Sequence, residues 1–296
     1  VQFVIYISRF VTGDLGDSFR FGKPVTEMLA ERLPITIELS ITALIIATTI
    51  GVPLGIISAY RHNSRLDVAT MLGANIGISI PVFWLGLMLS YLFAVVLKET
   101  PFVLPPSGRL TAGMDPAPYY QVWGWIADGQ PPPPLWTFLG RFTMLNGLIT
   151  GNWTLFWDSF RHMILPAITV GTIPLAIIAR MTRSALLEAL NQDYVRTARA
   201  KGLAERHVVF RHAFRNALLP VVTIIGLNFG FLFSGAVLTE TVFGLTGIGR
   251  TLYDGITARD YNVVQSVTLV AAVSFVVINL LVDMLYGLLD PRIRLN

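Results

Sequence analysis

Residues able to do chemistry are sparse in this 296-residue chain, and they do not assemble into a reaction centre. The four histidines, His62, His162, His207 and His212, have no spacing that would put two of them on one helix face, so no metal site is expected. Cysteine is absent, which removes disulfides, zinc knuckles, iron–sulfur sites and thiolate nucleophiles. There is no H-E-x-x-H and no G-x-S-x-G. Gly22-Lys23 is followed by Pro24, and Asp17 stands where a phosphate-binding loop would begin with glycine. The chain is therefore read as having no catalytic residues, no cofactor of its own and no ATPase activity.

Two other groups of residues remain. The first is a set of polar side chains inside apolar stretches: Glu38, Asn75, Asn228, Asn279 and Asp283. Polar groups at such positions are costly and either satisfy one another structurally or serve a pathway. Asn279 and Asp283 lie four apart and share a helix face, while Glu38 falls near the outer end of its stretch. Both the structural and the pathway readings stay open for all five.

The second group is the segment Asp193-Tyr-Val-Arg-Thr-Ala-Arg-Ala-Lys-Gly202. It is helix-forming, rich in small residues and basic, and it ends in a glycine where a helix takes a left-handed exit. Leu187, Leu190, Tyr194 and Ala198 recur at three- and four-residue intervals, predicting an apolar-to-small stripe presented to the cytosol with Arg196, Arg199 and Lys201 beside it. A second amphipathic piece follows from Ala204 to Phe214. Charge alone would allow such a loop to rest on anionic headgroups of membrane lipids. The small residues Thr197, Ala198, Ala200 and Gly202 suit insertion into a protein groove instead.

What positions these residues is a lipid-embedded scaffold. Hydrophobic residues make up 53% of the chain and charged ones only 14%, with mean hydropathy +0.62. A soluble domain carries about 25% charged residues. Five stretches approach the ~20 residues needed to cross a bilayer, at residues 35–60, 71–97, 163–185, 216–238 and 263–289. The pairs Gly51/Gly55, Gly73/Gly77 and Gly226/Gly230 read as close-packing seams between helices. Residues 180–215 hold eight Lys/Arg against three acids, which places this loop in the cytoplasm. Alternation then puts residues 1–33 and the proline-rich connection 98–161 outside, and the tail 291–296, with Arg292 and Arg294, inside. Residues 1–11 are too short and too interrupted by Arg9 to span. With an inside carboxyl terminus, a further helix before Val1 is expected.

At this point several ordered blocks carry a resemblance. Tyr194-Val-Arg-Thr-Ala-Arg-Ala-Lys-Gly-Leu203, followed by Arg211-His-Ala-Phe-Arg-Asn-Ala-Leu-Leu-Pro220, resembles the E-A-A loop of type I ABC importer permeases in the form carried by the dipeptide/oligopeptide branch. Gly13-Asp-Leu-Gly-Asp-Ser-Phe19, Pro81-Val-Phe-Trp-Leu-Gly86, Glu240-Thr-Val-Phe-Gly-Leu-Thr-Gly-Ile-Gly249, Arg259-Asp-Tyr261 and Asp290-Pro-Arg-Ile-Arg294 resemble further landmarks of the same subunit. The resemblance implies an all-α polytopic bundle of the type I importer fold over residues 34–290, in a bacterial or archaeal cytoplasmic (inner) membrane. It also implies a second, homologous permease subunit, two ATPase subunits that bind ATP and Mg, and an external solute-binding protein.

In such importers the ATPases grip the cytoplasmic loop, here residues 186–215, and drive alternating access. Carried over, Arg196, Thr197 and Ala198 take the E-A-A positions and Gly202 the motif glycine, with Tyr194, Arg199 and Lys201 around them. The generic wording of the loop is not kept, and its glycine-to-proline interval is longer. The cargo implied is a dipeptide or oligopeptide; nickel chelate, glutathione or an oligosaccharide is the alternative within the class. A membrane scaffold recruiting another cytosolic protein is the alternative outside it. Nucleic acid is not expected as a partner.

Overall fold

Apolar runs of this length close their backbone hydrogen bonds locally, and the chain is accordingly helical. The structure, a computed structural model, describes residues 2–126 and 130–289, and no β-strand forms among them. The amino-terminal half holds α1 (Gln2–Val11), α2 (Val25–Tyr60), α3 (Arg65–Ser79) and α4 (Val82–Tyr91), the last continued by a π-helical turn over Leu92–Val96. Short helices α5 (Tyr119–Val122), α6 (Pro134–Gly140) and α7 (Thr143–Ile149) interrupt the long connection before α8 (Trp153–Leu190). Then come α9 (Asp193–Ala200) and α10 (Glu205–His207), which runs through a π-helical stretch, Val208–Phe214, into α11 (Arg215–Gly235). The chain finishes with α12 (Val237–Val242), α13 (Ile248–Ala258) and α14 (Tyr261–Leu289). The expected tail with Arg292 and Arg294, and the block beginning at Asp290, lie outside the described residues.

Among the described residues, four stretches are long and apolar enough to cross a membrane: Val25–Tyr60, Trp153–Leu190, Glu205–Phe233 and Tyr261–Met284. The fifth expected span, 71–97, is not one helix. It is broken between α3 and α4 at Ile80, which takes φ −79° and ψ 126°, immediately before Pro81. Proline has no N–H to donate and its ring drives the preceding residue out of the helical region. Boundaries elsewhere also differ from those read by hydropathy. α2 begins at Val25 because polar Glu27, Glu31 and Arg32 continue the helix beyond its apolar part. α8 starts at Trp153 and ends at Leu190, taking residues from both the expected outer connection and the expected cytoplasmic loop.

The described chain divides into two units, to both of which α2, α8, α11 and α14 contribute. One comprises Val1–Thr42, Val82–Thr169 and Phe233–Val273. Here the outer connection is ordered by an aromatic group, with Tyr119 edge-on to Tyr120, Trp123 and Trp125, and Trp125 against Trp136. Buried Asn146 ties it to α7, accepting from the Tyr119 N–H (2.8 Å) and donating to the Ala117 carbonyl (3.0 Å). The 13–19 and 259–261 blocks, far apart in sequence, meet in this unit. Asp260 accepts from Ser18 Oγ (2.6 Å) and the Arg20 N–H (3.2 Å), and Asn262 donates to the Asp17 carbonyl (2.8 Å). Burial alone would raise the Asp260 carboxyl, but those donors, with the N–H of Val263, outweigh it and hold it below the ordinary value.

The other unit comprises Ala43–Pro81, Val170–Leu232 and Ser274–Asn296. Gly51 and Gly55 form a seam with α8. A Cβ at Gly51 would lie 2.9 Å from the Leu175 carbonyl oxygen, and one at Gly55 would lie 2.6 Å from that of Ala179. Gly226 and Gly230 face α14 through side chains instead, those of Val282 and Phe275. Of the third pair only Gly77 is close-packed, against Thr172; Gly73 faces open space, so it is not part of a seam.

Candidate coupling helix and buried polar clamps

The basic segment forms helix α9, with Asp193 in its first turn and Arg199 in its last, the charge order that suits the helix dipole. Gly202 closes it at φ +74°, its N–H donating to the Arg199 carbonyl (2.9 Å). The helix is held from one side. Val195 is fully buried and Ala198 is 5% exposed, in a cluster with Ala59, Leu186, Ala189, Val208, Val209, Ala213 and Ala217. The other side, with Tyr194, Arg196, Thr197, Ala200, Lys201 and Gly202, is exposed. Arg199 reaches past the turn to grip Glu205 with Nη2 at 2.7 Å and Nε at 3.2 Å, and that carboxylate raises the Arg199 pKa further.

This placement corrects two expectations. Ala198, expected on the stripe presented to the cytosol, instead turns its side chain into the chain's own core. The stripe Leu187, Leu190, Tyr194, Ala198 is not one face either: Leu187 and Leu190 pack on the cluster, whereas Tyr194 is exposed. α8 stops at Leu190 and a turn intervenes before α9, so the helical phase is reset and spacing counted across the turn loses its meaning.

The same unit holds a clamp that sequence reading passed over. Asp67 on α3 is held by Arg183 of α8 in a two-point fork (2.7 and 2.8 Å), and also accepts from Ser58 Oγ of α2 and the Asn63 N–H (2.9 Å). One buried carboxylate thus joins three helices. Counted only as loop charge, Arg183 concealed this role; the signal available was Ser64-x-x-Asp67, whose serine caps α3 by accepting from the Asp67 N–H.

The five polar residues of the apolar stretches separate in the structure. Glu38 is buried and fully engaged: Arg109 Nη2 at 2.7 Å, the Met144 N–H at 2.9 Å and Thr143 Oγ1 at 3.3 Å. It locks the outer connection to α2. Asn228 is buried and donates to the Ile224 carbonyl (2.7 Å) within its own helix. Asn75 is exposed. Asn279 is half-buried, its Oδ1 shielded and without a hydrogen bond, whereas Asp283 is exposed. Asp283 lines a cavity of about 360 Å³ with Met181, Pro220, Thr223, Ile224 and Leu227.

The block at 240–249 acquires a physical meaning. Glu240 is completely buried. Its carboxylate accepts from Thr36 Oγ1 (2.5 Å) and from the Arg250 N–H (2.9 Å), while Thr36 Oγ1 accepts from the Ile248 N–H (2.9 Å). Together the two side chains cap the free donors at the start of α13. A Cβ at Gly249 would lie 2.7 Å from the Val237 Cα, so only glycine lets the backbone approach this closely. Burial pushes the Glu240 carboxyl up to about 7, against the pull of the Thr36 hydroxyl and the N–H groups of Arg250 and Gly249.

These features define a multi-pass helical membrane protein that displays a short, internally anchored helix between two spans. Such a helix can pass force from a bound protein to the bundle. Residues 51–295 match the family described as binding-protein-dependent transport system inner membrane component. The chain belongs to that family and is a permease of the type I ABC importer fold. It is 45% identical to the dipeptide transport system permease protein of Alkalihalophilus pseudofirmus, over 99% of this chain and 81% of the relative. Identity is 44%, over 99% of this chain and 80% of the relative, both to the Escherichia coli dipeptide transport system permease protein and to the Pseudomonas aeruginosa di/tripeptide transport system permease protein. A crystal structure of an amino acid ABC transporter shares the fold at TM-score 0.51, covering 99% of this chain and 97% of its own at 12% identity.

Proposed function

We propose that this chain is a permease subunit that moves dipeptides or oligopeptides across a cytoplasmic membrane, with partner ATPases driving it through the exposed face of α9. The observation that carries the coupling half is the two-sidedness of α9: Val195 and Ala198 fasten it to the unit's core, while Tyr194, Arg196, Thr197 and Lys201 are left on the surface. A helix held in this way moves with the spans it is attached to. A packed interface passes motion between discrete arrangements without deforming continuously. The cargo half is supported by the near-full-length likeness to permeases named for dipeptide transport. In this reading α9 faces the cytoplasm, α5 to α7 face outward toward a solute-binding protein, and ATP and Mg are bound by the ATPases alone. A second permease subunit completes the pathway.

The experiment is solute-stimulated ATP hydrolysis and uptake by the reconstituted assembly, wild type beside Gly202→Arg and Thr197→Asp, with dipeptide, oligopeptide, glutathione, nickel chelate and oligosaccharide as cargo. One variant alters the turn that closes α9 and the other its exposed face. They are expected to fold, insert and lose stimulated hydrolysis. Normal stimulation in both would remove α9 from the coupling path, and uptake of a non-peptide cargo alone would overturn the peptide assignment. An assembly that never recruits an ATPase would instead support a membrane scaffold.

A further inference from the structure

Just past α9, the chain begins a membrane-spanning helix with two arginines, Arg206 and Arg211, that no acid among the described residues neutralises. Arg206, His207, Phe210 and Arg211 line a cavity of about 360 Å³. Among the described residues the side chains of Arg206, His207 and Arg211 have no hydrogen-bond or ion-pair partner. The nearest acid, Glu205, is taken by the two-point grip of Arg199. Cations at the start of a helix also oppose its dipole, so this arrangement is unfavourable until an anion arrives.

Depth in the bilayer identifies the anion. The span runs over Glu205–Phe233, and between Asn216 and Phe233 it carries no charged residue. Those 18 residues, at about 1.5 Å each, cover roughly 27 Å, close to the whole hydrocarbon core. Arg211 then sits about 8 Å beyond the core edge, at headgroup depth, and the long side chain of Arg206 reaches up to the same layer. The surrounding helix is amphipathic in the matching sense: Val208, Val209 and Ala213 are buried in the unit, whereas Phe210 is 51% exposed beside the arginines. An outward aromatic ring flanked by cations is the composition of a segment lying in the interface. No residue of α9 lines this cavity, so it is separate from the face proposed to meet the ATPases.

We infer that Arg206, His207, Phe210 and Arg211 form a binding site for the phosphate headgroup of an anionic phospholipid, with Phe210 against the acyl-chain boundary and the two arginines on the phosphate. The site does not depend on the cargo, nor on which side of the membrane the helix begins.

The test is native mass spectrometry of the purified full-length chain with its co-purifying subunits. After delipidation it is titrated with phosphatidylglycerol, beside phosphatidylcholine and free glycerol phosphate. The wild type is expected to retain phosphatidylglycerol in preference to phosphatidylcholine. Neutralising each arginine weakens retention about five-fold, and Arg206→Gln with Arg211→Gln about thirty-fold. Arg206→Lys with Arg211→Lys keeps the charge and is expected to keep the lipid, which separates lost charge from a damaged fold. The assignment is overturned by equal retention of phosphatidylcholine, by an unchanged affinity in the double Gln variant, or by a Lys pair as weak as the Gln pair. It is equally overturned if glycerol phosphate competes as well as intact lipid, or if the Gln pair loses a protein subunit and keeps the lipid.

Discussion

Helices α9 and α13 are both short and amphipathic, and both are held along one side, yet opposite chemistries hold them. α9 is fastened by apolar burial of Val195 and Ala198. α13 is fastened at its start by a buried carboxylate and a hydroxyl, Glu240 and Thr36, which take up its free N–H groups. Apolar anchorage is indifferent to pH and tolerates small changes of shape. A polar cap fixes position more tightly, but it carries a charge that burial makes unwelcome. The contrast fits the coupling role proposed for α9, since an apolar anchor can slide between packings that a polar cap would resist.

The largest effect that would break this comparison is expected at Ala198. Ala198→Asp places a carboxylate without a partner among Ala59, Leu186, Val208 and Val209, at a cost of several kcal/mol. Loss of the assembled fold is the expected outcome, seen as a large drop in the thermal midpoint of the purified complex. Thr197→Asp, one residue away on the exposed side, should shift that midpoint hardly at all. Equal effects at the two positions would mean that α9 has no inner side.

Next in size is the pH dependence of α13. A carboxyl whose value is raised on folding holds its proton more tightly in the folded state than in the unfolded chain. Its stabilising contribution is therefore complete below the ordinary value of 4.5 and is lost as pH climbs through about 7. The wild type should be more stable at about pH 5 than at about pH 8 by on the order of 3 kcal/mol from this group. Glu240→Gln should remove that difference while leaving the Thr36 bond in place. Thermal melts of both proteins at the two pH values measure it, and a Gln variant with an undiminished slope would place the titration elsewhere.

The two helices also differ in how far sequence revealed them. α9 was legible because its composition, its position between spans and its terminal Gly202 are local signals. The face it presents was not legible, since a turn resets the phase on which the stripe Leu187, Leu190, Tyr194, Ala198 is counted. The cap on α13 was not legible, because Thr36 and Glu240 are 204 residues apart and no local pattern pairs them. Gly247 and Gly249 stand in a block that sequence offers only as a resemblance, and nothing local in it names Glu240 or Val237 as the neighbours they approach. The same holds for Asp67 with Arg183, 116 residues apart, and Glu38 with Arg109, 71 apart. Hydropathy located the spans but not the break at Pro81 or the polar extensions of α2 and α8. Mean apolarity is blind to a proline's missing donor and to the amphipathic turns at the ends of a helix.

A smaller effect sharpens the capping half. Thr36→Val keeps the shape of the side chain and deletes the hydroxyl, leaving the Ile248 N–H without its acceptor and Glu240 without its shortest donor. The cost expected is about 2 kcal/mol, the upper range for a helix cap. Because the Thr36 bond favours the charged carboxylate, its loss should also move the Glu240 transition to higher pH. A destabilised variant with an unmoved transition would show that Thr36 serves the helix alone.

The smallest effect belongs to the exit of α9. Gly202 stands at φ +74°, and a Cβ built there meets nothing within 4 Å, so the space is free and only the backbone resists substitution. Gly202→Ala should therefore cost about 1 kcal/mol, and Gly202→Asn less, because asparagine tolerates the left-handed region. Neither change adds a charge or a long side chain, so both variants should keep stimulated ATP hydrolysis near the wild-type level in the reconstituted assembly. Gly202→Arg, at the same backbone cost but with a long cation on the exposed side, should lose it. That ordering separates two reasons for a glycine at this position. If Ala is as damaging to coupling as Arg, the turn geometry itself sets the pitch of α9 against its partner. If only Arg is damaging, the glycine serves to leave room for the groove that receives the helix.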